Sequence, residues 1–263
     1  FDSAETKNFG PGILDRASLN GSPNPTVVDG TLSDVENTPY IYVADTSRTL
    51  RYWSIQDIWE INPDWTLTAG LRQDHYSDFG RTTNPRLALV WNTSEQLVTK
   101  VLYGEAFRAP SNSELYARNN PIVLGNIHLQ PETIKTTELS FNYAFSDQLT
   151  GNLNLYHFEA KDLIEYQTNS QGVGTAQNNR NLRGQGLEIE THWMLSETFK
   201  LRANYAHQET INGHDSEQEE YVPQQQFYAD LSWQPAPNWT LSSQFKWVSD
   251  RVRNSADNRA KVD

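Results

Sequence analysis

The 263-residue chain contains no cysteine, a single methionine and no long apolar run. The absence of cysteine excludes disulfide scaffolds, thiol catalysis and cysteine-based zinc sites. No run of apolar residues exceeds five, as in Leu87–Trp91. A helix that crosses a bilayer needs about 20 such residues. The sequence therefore excludes a transmembrane helix.

Basic residues are also scarce, because 21 Lys and Arg stand against 33 Asp and Glu and give a net charge of -12. Such a surface repels phosphate backbones, so no nucleic-acid partner is expected. Hydrophobic residues make up only 37% of the chain. A membrane-crossing β-strand tolerates this composition, since it needs only about ten residues and half of them can be polar.

The chain starts at Phe1 and has neither an initiator methionine nor a leader sequence. We therefore expect either a removed leader or a piece of a longer protein. Residues 1–49 are rich in Gly, Pro, Asn, Asp and Ser and are predicted to be irregular, apart from one short apolar stretch at 40–44. Residues 50–263 form the predicted folded part.

Five short polar turns recur along the folded part, and each lies between large apolar or aromatic residues. They are Trp59–Trp65, Trp91–Leu97, Phe145–Leu149, Leu195–Phe199 and Trp233–Trp239. The stretches beside each turn alternate apolar and polar residues, which is the period of a β-strand. The connections at the opposite ends are predicted to be longer loops, at 77–84, 107–133, 160–183 and 208–221.

Ten strands are predicted from this alternation. They lie near 53–61, 65–76, 85–91, 97–106, 138–145, 149–159, 187–195, 199–205, 227–233 and 239–247. A strand of about ten residues is about 33 Å long, and a tilt near 45° leaves about 23 Å along a membrane normal. One residue conflicts with the pattern, because Asp57 falls on the apolar face of its strand, and a bulge there could rotate it away.

Short turns at one end and long loops at the other are typical of an outer-membrane β-barrel. The predicted fold is therefore all-β, an antiparallel up-and-down transmembrane β-barrel of which about ten strands are present. Aromatic residues at the turns favour it, since their rings prefer a membrane interface. The alternative from a different class is a soluble extracellular β-sandwich, used as a carbohydrate-binding module, because sandwich strands alternate as well.

Several sequence motifs add a family resemblance. Tyr103–Tyr116 resembles the FRAP-type stretch of TonB-dependent outer-membrane receptors, and Gly125–Thr133 is similar to their "GNPNLKPET" stretch. Arg183–Glu188 is similar to their "RxxGxE" strand entry. Gly70–Arg72 with Asp74, and Asn84–Arg86, fit the same pattern. The ordered set runs from about residue 52 to the end of the chain and is far more specific than any one motif.

The resemblance implies a barrel of about 22 strands whose lumen is closed by a plug. The plug domain and the last strands are expected to be absent here, and residues 1–49 would be mostly an extracellular loop. The implied function is that of a receptor in the bacterial outer membrane, not an enzyme, that imports a scarce ligand. We expect a ferric siderophore, and haem or cobalamin are the alternatives. The implied partners are the TonB complex, through the missing plug, and outer-membrane lipid; no cofactor is predicted.

Four residues near the FRAP-type stretch are candidate ligand-binding residues, namely Arg108, Tyr116, Arg118 and His128. Arg108 is predicted to face the lumen, where a guanidinium could hold a carboxylate of the ligand or plug. It could equally tie its strand to a neighbouring carboxylate. In haem receptors of the family a histidine near the FRAP-type stretch ligates iron, but His128 lies inside the second motif and could be an ordinary loop residue.

Two acidic features have weaker functional interpretations. Glu188 and Glu190 lie on one face of a strand, as a glycosidase pair could, but charged barrel walls explain them better. The segment 207–220 contains two histidines, five acidic residues and no Lys or Arg. It could bind a hard cation, although acidic extracellular loops are ordinary.

Overall fold

A computed structural model describes residues 2–6, 27–28, 31–32, 41–43, 45–120, 122–170, 172–213, 217–249 and 251–252. The elements are β1 (Asp2–Thr6), β2 (Val27–Val28), β3 (Thr31–Leu32), β4 (Thr46–Asn62), β5 (Trp65–Tyr76), β6 (Gly80–Asn92), β7 (Leu97–Arg108), α1 (Asn112–Tyr116), β8 (Val123–Leu124), β9 (Glu132–Ser146), β10 (Leu149–Thr168), β11 (Gly174–Ser196), β12 (Phe199–Asn212), β13 (Gln225–Ala236) and β14 (Trp239–Val248).

The ten long strands form one antiparallel sheet in the order of the sequence. The full order is β1-β4-β5-β6-β7-β9-β10-β11-β12-β13-β14, and the two-residue β8 pairs in parallel with β11. Consecutive strands are neighbours throughout, as in an up-and-down barrel wall. The predicted all-β fold with about ten wall strands is confirmed as a partial barrel that is not closed.

The two faces of the wall differ in chemistry. Odd-numbered residues pair with odd-numbered residues over nearly all of the ladder, so they share one face, which we call the outer face. Even-numbered residues line the inner face. On the outer face the side chains near the short turns form an apolar band, which consists of the odd-numbered residues of 53–61, 65–71, 85–91, 97–103, 139–145, 149–155, 187–195, 199–205, 227–233 and 241–247.

No second layer of the described chain covers the apolar band. Leu67, Phe141 and Leu201 are only half-buried, and Leu241 is 50% exposed. In a β-sandwich these side chains would be buried against a facing sheet. The sandwich alternative is therefore wrong, and the band is shaped to contact hydrocarbon.

The five predicted short turns all lie at one end of the wall, and aromatic residues flank them as expected. The turns occupy 63–64, 93–96, 147–148, 197–198 and 237–238. Trp65 and Trp91 stack across β5 and β6 with ring centroids 4.9 Å apart. Indole rings of this kind are favoured at a membrane–water interface.

At the opposite end the strands continue much further than predicted. β10 runs to Thr168 and β11 starts at Gly174, so most of the predicted loop 160–183 is strand. The predicted loops 77–84 and 208–221 are also partly strand, in β6 and β12. The prediction was wrong there because it relied on apolar alternation. Outside the apolar band both faces can be polar, yet the backbone ladder persists.

The predicted conflict at Asp57 is real, but no bulge relieves it. The register between β4 and β5 is continuous from Leu50 to Glu60, and its shift lies between Glu60 and Asn62. Asp57 therefore stays on the outer face, directly across from Ala69.

The start of the chain lies mostly outside the described residues. Within the predicted irregular region 1–49, β1 pairs with the first five residues of β4, and β2 pairs with β3. Among the residues that the structure describes, no helix has the length and apolar character to cross a bilayer.

Candidate functional site

The connection between β7 and β9 folds into a compact unit, residues 109–120 and 122–131, which we call the loop cap. Its apolar contacts are made by Leu115 and Leu129, which pack with Ala176 of β11; these three side chains are at most 3% exposed. Tyr116 and Ile164 pack against them. This cluster lies beyond the apolar band, at the long-loop end of the wall.

The loop cap also reaches the beginning of β4. Val43 forms a β-bridge with Ala117, and the Arg118 amide donates to the Tyr42 carbonyl at 2.7 Å. The Arg48 guanidinium donates to the Pro110 carbonyl at 2.8 Å. Since β4 and β10 are separated by four strands in the sheet, the cap joins distant parts of the rim.

Arg108, the last residue of β7, is enclosed by two carboxylates. Its guanidinium contacts Glu132 at 2.6 Å and Glu114 at 2.9 Å. Glu114 also accepts from the backbone amide of Ser111, while the Ser111 hydroxyl accepts from the Glu114 amide, so the pair forms the capping box of α1. Glu132 accepts in addition from the Ile164 amide at 2.8 Å. One charged cluster therefore ties β7, α1, β9 and β10 together.

These contacts change the acidity of the groups. Burial alone would raise the pKa of Glu114, but hydrogen bonds from Arg108 and Ser111 outweigh it and hold the pKa below its usual value. The carboxylates of Glu132 and Glu114 raise the pKa of Arg108. The guanidinium is thus fully charged and already occupied by two acidic partners.

The motif Gly125–Thr133 stabilises the loop cap through hydrogen bonds. The Gly125 amide donates to the Ala117 carbonyl and the Asn126 amide to the Glu114 carbonyl, both at 2.8 Å, so this segment satisfies carbonyls of α1 and of its C-cap residue. The Asn126 side chain donates to the Ala176 carbonyl at 3.1 Å. The motif therefore fastens the helix to β11.

Tyr116 is the second candidate residue, and it lies half-buried in the cap. Burial raises the pKa of its phenol, and the nearby Asp78 carboxylate adds to the shift. Asp78 is paired with Arg48 at 2.7 Å. Arg48 lies 5.5 Å from the ring centre of Phe79, which is a cation–π distance. Tyr116 therefore borders a second, mostly buried ion pair of the rim.

The structure does not bring the other two candidates into this cluster. The side chain of Arg118 is exposed. His128 lies exposed in a turn, where its amide donates to the Asn126 side chain at 2.9 Å. Within the described ranges no group of three or more His, Asp or Glu side chains is arranged to hold a metal ion. A ligand-binding role for Arg108, Tyr116, Arg118 and His128 stays a prediction.

The acidic segment 207–220 is only partly described, because residues 214–216 are not. Its first residues, 207–212, belong to β12. Glu219 forms an ion pair with Arg180 of β11. This contact links β11 to the connection between β12 and β13.

The inner wall contains a groove of about 350 Å³ that sequence reasoning did not single out. Two arginines project into it. Arg72 pairs with the fully buried Asp74 at 2.7 Å and stacks over the ring of Tyr52 at 4.4 Å. The side chain of Arg86 is exposed, and its guanidinium forms no hydrogen bond or ion pair with any residue in the described part of the chain.

The register explains the exposure of Arg86. It lies directly across from Gly70 on β5 and from Gly104 on β7. Neither neighbour has a side chain, so the guanidinium can extend into the lumen. The groove also contains the polar side chains Ser54, Gln56 and Asn84. The Asn84–Arg86 motif was visible in the sequence, but the flanking glycines become neighbours only through strand pairing.

The motif Arg183–Glu188 contributes two glycines to the inner face of the wall. Tyr156 lies across from Gly186, and Phe158 lies across from Gly184. A Cβ at Gly184 would be 2.4 Å from the Phe158 ring, and one at Gly186 would be 2.5 Å from the His207 carbonyl oxygen. The two glycines therefore let aromatic rings lie close against β11.

Comparison with known proteins matches this architecture. The family described as "TonB dependent receptor-like, beta-barrel" matches residues 7–263. Among solved structures, the ferric enterobactin receptor PfeA of Pseudomonas aeruginosa in complex with enterobactin superposes with a TM-score of 0.71 at 20% identity. The alignment covers 90% of this chain and 39% of that one.

Curated relatives include two proteins of Vibrio cholerae. The vitamin B12 transporter BtuB is 30% identical over 140 residues, which is 53% of this chain and 22% of BtuB. The iron-regulated outer membrane virulence protein is 28% identical over 200 residues, which is 68% of this chain and 31% of that protein. The chain thus spans at most about a third of the curated relatives it matches.

Proposed function

The chain belongs to the β-barrel family of TonB-dependent receptors, and we propose that it is part of an outer-membrane receptor that captures and imports a ferric siderophore. Barrels of this family are outer-membrane proteins and act in transport, not in bond-making catalysis. Import would draw its energy from the TonB complex, which would act through a plug domain outside the described residues.

The observation that carries the proposal is the exposed Arg86 in the inner-wall groove. Siderophores present oxygen donors to Fe³⁺, a hard cation, and their ferric complexes commonly carry negative charge. Arginine holds such oxyanions through charge-assisted and bidentate hydrogen bonds. Arg72 lies in the same groove, and the amides of Gln56 and Asn84 offer further donors.

Cobalamin is the second candidate, because the chain is 30% identical to a vitamin B12 transporter over 140 residues. Haem remains the other prediction from the family resemblance, with His128 as its iron ligand. The candidates differ in their need for charge. A corrinoid offers the groove no cluster of oxyanions, so Arg86 would matter little for it.

The proposal is tested with the complete receptor, in wild-type and Arg86→Ala forms, against ferric enterobactin and a ferric hydroxamate as probes. Loss of a charged hydrogen bond costs about 1.5–3 kcal/mol, which is roughly 10- to 100-fold in Kd. We expect siderophore binding to weaken by at least tenfold. Lys246→Ala, which removes a cation from the same face on β14, is the matched control and should bind normally.

Absorption spectra with haem and cobalamin complete the experiment. A receptor that binds cobalamin or haem and none of the ferric siderophores would contradict the proposal. So would siderophore binding that Arg86→Ala leaves unchanged, because the groove would then not be the binding site.

A further inference from the structure

Asp57 lies in the middle of the apolar band. Its outward-facing neighbours along β4 are Ile55 and Trp59, and both are more than half exposed. Across the described wall it is the one carboxylate in the band as defined above. An ionised group that faces hydrocarbon is costly and marks a contact, by default with an opposite charge.

No cation of β4 or β5 reaches this carboxylate. Ala69 lies directly across from Asp57 on β5, and the diagonal neighbours are Leu67 and Leu71. The carboxylate instead accepts a hydrogen bond from the backbone amide of Ile58, at 2.9 Å.

The direction of this hydrogen bond shows where the carboxylate leans. The Ser77 amide donates to the Thr49 carbonyl at 3.0 Å, so Thr49 and Ser77 form a hydrogen-bonded pair. Hydrogen-bonded and non-hydrogen-bonded pairs alternate along an antiparallel ladder, so the odd-numbered residues of β4 bond to β5. The Ile58 amide therefore points away from β5, and Asp57 leans towards the other edge of β4.

That edge lacks a neighbour over most of its length. β1 pairs with Thr46–Leu50, and no described strand pairs with 51–62 on this side. A strand added there would place its residue opposite Asp57 in a non-hydrogen-bonded pair, where Cα atoms are only about 4.5 Å apart. Side chains in such pairs are close enough for an ion pair.

We propose that a strand of the same receptor, outside the described residues, pairs along 51–62 and presents a lysine or arginine directly opposite Asp57. The two charges neutralise each other within the apolar band. The Asp57 carboxylate then pairs with this cation and no longer accepts from the Ile58 amide, and the Ile58 amide donates to a carbonyl of the added strand. This inference rests on the membrane-wall part of the proposed function and not on the identity of the ligand.

The first test measures the stability of the complete receptor in lipid bilayers by urea titration, with Asp57→Leu and Asp57→Asn. Removal of one partner leaves a cation alone among apolar groups. We expect the unfolding equilibrium constant to rise about tenfold or more for Asp57→Leu, although leucine suits a lipid face better than aspartate. Asp57→Asn should raise the unfolding equilibrium constant as well, and this variant replaces Asp57→Leu in the test if the leucine variant fails to insert into the bilayer.

Ser243→Leu is the matched control, because Ser243 is also a polar outward residue between apolar ones, on β14. This variant should keep or gain stability. An Asp57→Leu receptor as stable as the wild type, or more stable, would overturn the proposal, since the carboxylate would then simply face lipid.

The second test identifies the neighbour directly. Asp57→Cys gives a single thiol in this cysteine-free chain, and a short photoactivatable thiol reagent attached there is cross-linked in the membrane. We expect attachment within the same receptor molecule, on a strand whose residue opposite position 57 is Lys or Arg. Attachment to a second copy, to lipid alone, or opposite an uncharged residue would overturn the proposal. Siderophore binding by Asp57→Leu should stay normal, so a failed ligand test and a failed pairing test are distinguishable.

Discussion

Glu114 makes the rim of the wall sensitive to acid. Because its pKa in the folded chain is lowered, the stabilisation is fully present above the ordinary value of 4.5 and is lost as the pH falls through the folded value. We expect the loop cap to resist proteolysis from about pH 5 to about pH 7, where the Glu114 carboxylate is ionised, and to open progressively as the pH falls below 4.5 towards the lowered pKa of Glu114.

Glu114→Gln tests this residue, since the amide keeps the shape but cannot pair with Arg108 as a charge. Limited proteolysis of the cap across pH should show a flatter acid profile in this variant. Glu188→Gln, which replaces a carboxylate on the inner face of β11, should behave like the wild type. An acid profile that is identical in all three proteins would assign the transition to other groups.

For single residues, the sequence predicts the face of the sheet on which a side chain lies better than it predicts the residues that the side chain contacts. Even numbering and the FRAP-type motif place Arg108 towards the lumen, in agreement with the register. Its acidic partners could not be derived, because Glu132 is 24 residues away and meets Arg108 only across the β7–β9 pairing. The same holds for Arg86, whose exposure depends on glycines of two neighbouring strands.

The short helix α1 depends on one glycine for its contact with the chain that follows. A Cβ at Gly125 would lie 2.7 Å from the Ala117 nitrogen and equally close to the backbone of Leu115. Backbone atoms cannot rotate aside, so the helix or the segment must shift. We predict that Gly125→Ala destabilises the loop cap by about 1–3 kcal/mol, the usual cost of overpacking.

Hydrogen exchange of the α1 amides measures this effect without requiring the whole barrel to unfold. Gly104→Ala is the control, because a Cβ there meets only the Arg86 side chain, at 4.0 Å. Exchange should accelerate in the first variant and stay unchanged in the second. Equal protection of the α1 amides in both variants would contradict the prediction, because the loop cap would then accommodate a Cβ at Gly125 without loss of stability.

Elements inside the apolar band could be predicted, and those beyond it could not. The band forces alternation, because each strand there separates an apolar environment from a polar one. Past residue 156, β10 has polar residues on both faces, and only the ladder with β11 continues. Asp162, with a φ of 58°, marks an irregularity in that ladder that no periodicity could reveal.

The whole molecule presents two features that invite association when this chain is taken alone. The first is the exposed apolar band, for example Ile55 at 64% and Phe245 at 57% exposure. The second is the open edge of β4 at 51–62. Both are recognised causes of aggregation. We predict that the isolated 263-residue chain sediments from buffer and stays dispersed in a mild non-ionic detergent.

Analytical ultracentrifugation with circular dichroism checks this prediction. Strand content should be retained in detergent, and the species should be small. A folded, monodisperse monomer in buffer alone would contradict the assignment of the outer face to lipid. Composition and turn spacing were sufficient to predict this architecture, whereas the neighbour at the β4 edge is not encoded in the described residues.

The apolar cluster of Leu115, Leu129 and Ala176 lies beyond the apolar band, and it is stabilised differently from the wall. Interstrand hydrogen bonds stabilise the wall, whereas the hydrophobic effect stabilises the cluster. The hydrophobic effect weakens on cooling. Cooling a receptor in its bilayer should therefore destabilise the loop cap, while the hydrogen-bonded strands of the wall stay folded.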